Sequence, residues 1–290
     1  MNQIYSAMDV SKQAFHQHLA RKAVVNQNSL NLLAPVYKIR DKHPGMSVRH
    51  IYKKIKPEGI GRDRFESFCF KHGLKLKPKR NYRRTTNSNG GIRFDNLLES
   101  WELTGINQVF VSDLTFYQIR EKTYYLTFIM DLYSRRIVGY TASKRMHTEI
   151  TTLPSLRMAL RLRGVNKLKG TIMHSDGGGQ YYSTAFLKET GMMLNSMAKT
   201  VYENIHAERL NGTIKNQYLR YYKPRDFEEL TQNLKKAVEM YNTERPHSSL
   251  NYLSPVEFES LSTEMQLIIK RKKETEKVNI SNNNISLAVT

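Results

Sequence analysis

Between Gln108 and Thr141 the sequence carries three runs rich in β-branched and aromatic residues, Gln108–Tyr117, Thr123–Met130 and Arg136–Thr141. Each has strand composition. The connections are too short for a crossover, so an antiparallel meander is expected. A helical pattern from about Thr148 to Leu162 follows. Gly170–Ser175 then reads as a short buried strand that delivers the chain to Asp176. Strands first, then a helix, then further strands and helices define a layered α/β domain.

Helices flank this block on both sides. In the first ~75 residues, Ser11 is placed to cap a helix through Ala20. Leu32, Leu33, Val36 and Ile39 mark a second that stops near Pro44-Gly45, and Ser47 caps a third over Val48–Ile55. Gly61 precedes a fourth, Arg62–His72, ended by Gly73. Two short helices around a Gly-containing turn suggest a helix-turn-helix, although a plain helical bundle has the same pattern. Residues 85–92 are polar and contain a Gly pair, as in a linker. The expected divisions are 1–84 helical with a basic end, 85–104 linker, 105–258 core and 259–290 a charged, weakly ordered tail. Within the core, Asn204 to Tyr221 is helical. Asp226 and Glu229 resemble a capping box ahead of the stripe Leu230, Leu234, Ala237, Val238 and Tyr241.

Charge narrows the partner. The chain of 290 residues has 46 Lys+Arg against 26 Asp+Glu, a net +20. Residues 1–95 carry +14 of it. An excess of this size points to a polyanion, most often nucleic acid. The densest run holds Lys75, Lys77, Lys79, Arg80, Arg83 and Arg84, and Arg62 and Arg64 open the fourth helix. All eight are candidate DNA contacts. The single cysteine, Cys69, excludes an internal disulfide and a cysteine-built zinc site, which fits a reducing cytoplasm. No apolar run approaches the ~18 residues of a membrane helix.

Three acids stand out. Asp113 lies inside an apolar strand, where a carboxylate is costly unless it is at a rim, paired or bound to metal. Asp176 ends a buried strand and opens the turn Asp176-Gly-Gly-Gly-Gln-Tyr181. Glu208 sits on a predicted helix with Asn204, Asn211, Gly212 and Lys215 on the same face. Singly, each is as well explained by a turn or a solvated helix face. Together they have the strand, strand-end and later-helix placement by which a ribonuclease-H-like core assembles a metal site. Oxygen ligands suit Mg2+ or Mn2+, and two such ions can drive phosphoryl transfer.

The motifs carry the same reading further. Val111-Ser-Asp-Leu-Thr115, Asp131-Leu-Tyr-Ser-Arg-Arg-Ile-Val-Gly139, His174-Ser-Asp-Gly-Gly-Gly-Gln-Tyr181, Tyr202-Glu-Asn204 with Ala207-Glu-Arg-Leu-Asn211 and Lys215, and Tyr241-Asn-Thr-Glu-Arg-Pro-His247 occur in order. This series resembles the retroviral-integrase-like core of insertion-sequence transposases. The nearest resemblance is to the second-reading-frame product of elements that make their transposase by frameshifting. The resemblance implies a ribonuclease-H-like integrase core, a mixed sheet flanked by helices, behind an N-terminal helical region. It implies that Asp113, Asp176 and Glu208 bind two Mg2+ or Mn2+ ions. By the same resemblance Lys215 contacts DNA, and Asn204, Gln180 and Tyr181 line the site or touch DNA. His174 is a structural neighbour, and Arg245 and His247 brace the last helix. Departures are Phe110, Glu203 and an Asp176–Glu208 interval a few residues short, with the shortening expected in loops near 189–191 and 197–202.

The expected activity is metal-dependent cleavage and strand transfer at the ends of an insertion element. The implied partners are double-stranded DNA, other copies of the chain, and an upstream-frame helix-turn-helix and coiled-coil polypeptide, fused or separate. A second reading keeps only DNA binding, as in a decayed transposase or a repressor. A third is a nuclease of the same fold that cuts without joining.

Overall fold

The computed structural model describes residues 11–77, 94–99, 101–198, 204–273 and 275, with side chains left out for 21–30. The chain forms two compact units, Met1–Lys77 and Pro78–Thr290.

The first unit is helical. Helix α1 (Lys12–Lys42) begins where expected, with the Ser11 hydroxyl accepting from the Ala14 N–H at 3.1 Å. It does not end at Ala20. One continuous helix replaces the two expected, because residues 21–31 contain neither Gly nor Pro to interrupt it, and Pro35 is carried inside. Helices α2 (Val48–Ile55), capped by Ser47, and α3 (Arg62–Lys71), preceded by Gly61, match the sequence pattern. Val36, Met46, Val48, Ile51, Phe65 and Cys69 form their common core.

The second unit is built on a five-stranded mixed sheet: β1 (Val109–Ile119), β2 (Lys122–Asp131), β3 (Ile137–Ser143), β4 (Ile172–Ser175) and β5 (Leu194–Met197). The spatial order is β3-β2-β1-β4-β5. The meander is antiparallel as expected, while β4 runs parallel to β1 and β5 parallel to β4. The parallel step is made by the crossover through α4 (Thr152–Arg163). Helix α5 (Thr184–Thr190) and strand β5 were not foreseen. Both are too short to show a periodicity.

Strand alternation divides the core into two layers. Val109, Val111, Leu126, Phe128, Met130, Ile137 and Ile172 point to one face. There they meet α6 (Ile205–Ile214), its π-helical continuation Lys215–Leu219, and α7 (Phe227–Thr243). Phe110, Ile129, Val138 and Met173 point to the other face and meet Leu156, Ala159, Leu160, Tyr181 and Phe186 from α4 and the segment beyond β4. The stripe on α7 is core: Leu230, Leu234, Ala237, Val238 and Tyr241 are all buried. Asp226 caps α7 as expected, but Glu229 bonds Arg225 instead of closing a box.

Two expected boundaries move. Residues 94–99 and 101–104, placed in the linker, contribute Leu97, Leu98 and Leu103 to the core. The Leu97 N–H donates to Ser196 Oγ at 3.0 Å. Residues 259–273, placed in the tail, also pack. After α8 (Pro255–Glu259), residues 263–273 are helical, Ile269 joins Tyr133, Leu250 and Phe258, and Lys270 Nζ bonds the Tyr133 carbonyl at 2.5 Å. Glu259 accepts from Arg136 at 2.6 Å and from Arg163, which also reaches Asp131. Of the charges in this stretch, Glu259 is buried in these pairs, whereas Glu264, Arg271 and Lys272 are exposed. The expected linker 85–92, Lys79, Arg80, Arg83, Arg84, Glu203 and residues 276–290 lie outside the described residues.

Candidate active site

The parallel pairing of β1 with β4 positions the first two acids. Val111 is opposite His174, and this register carried two residues further reaches Asp113 and Asp176. Asp176 emerges at the carboxyl end of β4, where α/β sheets place their ligands, and Asp113 stands beside it within β1, just past the last β1–β4 pair. The ladder between these strands stops at Val111, so β1 presents an open edge from Ser112 onward. Helix α6 covers that edge. The buried Asn204 donates from Nδ2 to the Ser112 carbonyl at 2.9 Å, and Lys215 Nζ reaches the Phe116 carbonyl at 3.4 Å.

Strand and helix then run in step. Asn211 Nδ2 donates to Asp113 Oδ2 at 2.6 Å, Lys215 Nζ to Thr115 Oγ1 at 2.6 Å, and Tyr117 Oη to the Leu219 carbonyl at 3.2 Å. Two strand residues rise about 6.6 Å and four helical residues about 6.0 Å, so the repeats nearly coincide. Glu208 lies one turn before Asn211 on the same helix and is exposed.

Asp113 feels the charge of both other acids. Burial first, and then the charges of Asp176 and Glu208, push the Asp113 carboxyl from 3.8 to about 7, against the opposing pull of the Leu114 N–H and Lys215. Burial also raises Asp176, opposed by the Gly178 N–H, which donates to its Oδ1 at 3.2 Å. A larger residue at Gly178 would crowd the two polar side chains of that turn. A Cβ there would lie 3.0 Å from Asp176 Oδ1 and 3.1 Å from Gln180 Oε1.

Among the described residues, no three acidic, histidine or cysteine side chains are gathered closely enough, as placed, to hold one ion. The donor chemistry nevertheless fits a hard divalent cation. The donors are carboxylate oxygens at a strand-end rim, and the most buried is destabilised by its acidic neighbours. Glu208 is exposed, so its side chain can turn toward the two aspartates without disturbing packing.

The other sequence candidates divide. Gln180 is half-buried beside Asp176, and its carbonyl accepts from Thr152 and Ser183. Tyr181 is buried, with its hydroxyl 2.8 Å from Ser112 Oγ, and Asn204 is buried against the Ser112 backbone. Both brace β1 from within at Ser112, next to Asp113. His174 sits in the sheet with Nδ1 2.9 Å from Ser196 Oγ. Arg245 bonds Gln217 Oε1 and lies over the Tyr241 ring, against which His247 packs edge-on. In the helical unit, Arg64, Lys75 and Lys77 are exposed, and Arg62 bonds the adjacent Asp63 at 2.8 Å. Sequence reasoning missed Asn211 as the partner of Asp113. Its signal was present in the three-residue step from Glu208 on one polar helix face.

Comparison with known proteins agrees with this geometry. The family described as "Integrase core domain" matches residues 104–199 and 195–255. A 31 kDa protein of insertion element IS600 from Shigella sonnei is 36% identical over 219 residues, 72% of this chain and 79% of that one. The transposase of insertion sequence element IS904 from Lactococcus lactis is 30% identical over 198 residues, 66% of this chain and 77% of its own. The HTLV-2 integrase catalytic core domain, solved in complex with magnesium, aligns at TM-score 0.43 and 19% identity over 52% of this chain and 95% of that domain. The ordered motifs, the match to the integrase core family and the identity to insertion-element proteins place the chain in the family of insertion-sequence transposases with an integrase core.

Proposed function

We propose that this chain is a DNA transposase that cuts and joins DNA at the ends of an insertion element, with Asp113, Asp176 and Glu208 as its metal-binding acids. The observation that carries this reading is geometric: Asp113 and Asp176 stand on adjacent parallel strands just past the point where their pairing stops, and the helix that bears Glu208 is hydrogen-bonded along β1 through Asn211 and Lys215. Bound Mg2+ or Mn2+, in a pair, would supply activation of the attacking hydroxyl and neutralisation of the leaving oxygen. The chain's own residues supply the rest. Asn211 holds one oxygen of Asp113 and leaves the other for a ligand. The glycines after Asp176 let a phosphate backbone approach closely. Lys215, held by Thr115, places a positive charge beside the acids for a DNA phosphate.

The exposed cations Arg64, Lys75 and Lys77 of the helical unit, with Arg62, would hold duplex DNA, and the unit α2–α3 has helix-turn-helix form. Lys79, Arg80, Arg83 and Arg84 extend that cationic run in sequence. Partners on this reading are the element's terminal repeats, target DNA, further copies of the chain to pair two ends, and an upstream-frame polypeptide, fused or separate. No helix among the described residues is long and apolar enough to cross a membrane, and we place the activity on DNA in the bacterial cytoplasm.

The test is joining of a labelled, pre-cut element end to target DNA with Mg2+ or Mn2+, comparing the natural sequence with Glu208→Gln. Joining by the first and binding without joining by the second is expected. Equal binding with no cutting or joining by either, with the upstream polypeptide supplied, would leave a DNA-binding protein without catalysis.

A further inference from the structure

The face of β1 on the side of α4 presents, beyond Ser112, a surface that the three acids do not use. Beyond Ser112, which lies under Tyr181, the same sheet face carries Leu114, Phe116 and Gln118. Phe116 is 57% exposed, more than any other aromatic side chain among the described residues. Its register partner is Tyr125 on β2, which is half-buried. Helix α4 covers this face at the level of Gly139, next to Ile129, and among the described residues Phe116 at the other end stays exposed. A single exposed aromatic is ordinary in itself, and what distinguishes Phe116 is the set of groups around it.

Those groups define what the patch suits. Lys215 Nζ stands 5.4 Å from the centre of the Phe116 ring. The hairpin tip beyond it carries exposed Arg120 and Lys122 with one acid, Glu121, between them. An apolar protein partner would meet three cations here, whereas a nucleotide offers a flat ring for the aromatic and a phosphate for the cations. Sheet faces that present aromatics beside cations bind single-stranded nucleic acid by stacking, with little regard to sequence. Phe116 is three residues from Asp113 along β1, about 10 Å. A base stacked there would belong to the DNA end being processed.

We propose that Phe116, backed by Tyr125, stacks an unpaired base of the DNA end while Lys215 takes the adjoining phosphate. The inference rests on the transposase reading, since it assumes a DNA end at Asp113. A paired base must first leave its stack, which is least costly at an unpaired terminus, so the subsite selects frayed or overhanging ends.

The experiment uses the full chain carrying Glu208→Gln, so that binding is read without chemistry. The probes are two hairpin duplexes, one blunt and one with a three-nucleotide single-stranded end containing 2-aminopurine. Phe116→Leu is expected to weaken binding of the overhang about tenfold, leave the blunt duplex within about twofold, and abolish the fluorescence quenching of the stacked base. Phe116→Trp is expected to retain both. An unchanged preference for the overhang in Phe116→Leu overturns the proposal, as does an equal loss on both probes. A change in self-association without a change in that preference also overturns it, and identifies the patch as a contact between copies. Joining by the natural sequence with no effect at Phe116 sinks this inference alone. Failure of joining sinks the catalytic reading, and the overhang preference still decides the subsite.

Discussion

Replacing Gly139 with alanine tests how tightly the sheet and its covering helix are joined. A Cβ at position 139 would lie 2.0 Å from the Ser155 carbonyl oxygen, which belongs to the backbone of α4. Real Cβ contacts essentially never fall below 3.0 Å, so at least 1 Å must open. The carbonyl cannot swing away alone. The helix moves with it and draws Leu156, Ala159 and Leu160 out of contact with Phe110, Ile129 and Val138. A radial gap of 0.5–1 Å forfeits roughly a quarter to a half of each dispersion contact. Overpacking of this kind costs about 1–3 kcal/mol. A strand flanked by the bulge at Val138 has little slack, so Gly139→Ala should reach about 3–5 kcal/mol. Gly212→Ala is the control, because its Cβ would meet only Asn216 at 3.8 Å, and alanine gains about 1 kcal/mol in a helix interior. Circular dichroism melts of the full chain read both. A loss under about 1 kcal/mol for Gly139→Ala would show that the approach of α4 to β3 is looser than described.

Two further changes probe charge. Asp113→Asn should stabilise the metal-free protein while abolishing joining. The folded carboxyl titrates near 7 against 3.8, so its ionised form opposes folding by at most roughly 4 kcal/mol at neutral pH. This penalty is fully present above 7 and fades as pH falls toward 3.8. Melts without divalent ions should therefore show the variant's advantage shrinking between pH 7 and 5, and a constant difference would count against a raised Asp113. Glu259→Gln should act in the opposite sense. Burial alone would raise this carboxyl, but bonds from Arg163, Ser134 and Arg136 and the arginine charges hold it below its usual range. Its stabilisation is present above about 4.5 and is lost as pH falls through the lower folded value. Removing the charge leaves Arg163 poorly compensated and should destabilise the fold by about 3–5 kcal/mol in melts at pH 7.

The sheet and its acids were legible in sequence because their signals are local. β-branched and aromatic runs with short connections specify a meander, and the acids sit at motif positions whose spacing survives without a structure. The partner of Asp113 was harder to see. Asn211 acts through a contact between strand and helix nearly a hundred residues apart, and a polar helix face looks the same whether it meets water or a carboxylate. The buried charges of Arg163, Asp131 and Glu259 misled for a related reason. Charge in sequence suggests exposure, and only tertiary pairing reveals why residues 259–273 are held down. Helix α5 shows the limit on the length argument. Glu189 and Thr190, expected in a loop that absorbs the shortened interval, are its last two residues.

The step-by-step match of Asp113, Thr115 and Tyr117 with Asn211, Lys215 and Leu219 has a consequence for how such a chain can diverge. The helix that bears Glu208 is fastened to the strand that bears Asp113, not to the segment that joins them in sequence. Insertions and deletions in the loops between Asp176 and Glu208, outside α5, β5 and Asn204, can then accumulate without changing where Glu208 lands. Drift in those loops is tolerated, whereas a single-residue slip inside α6 would break every rung at once. Lineages of this enzyme should therefore vary in the length of that connection and hold the helix itself constant.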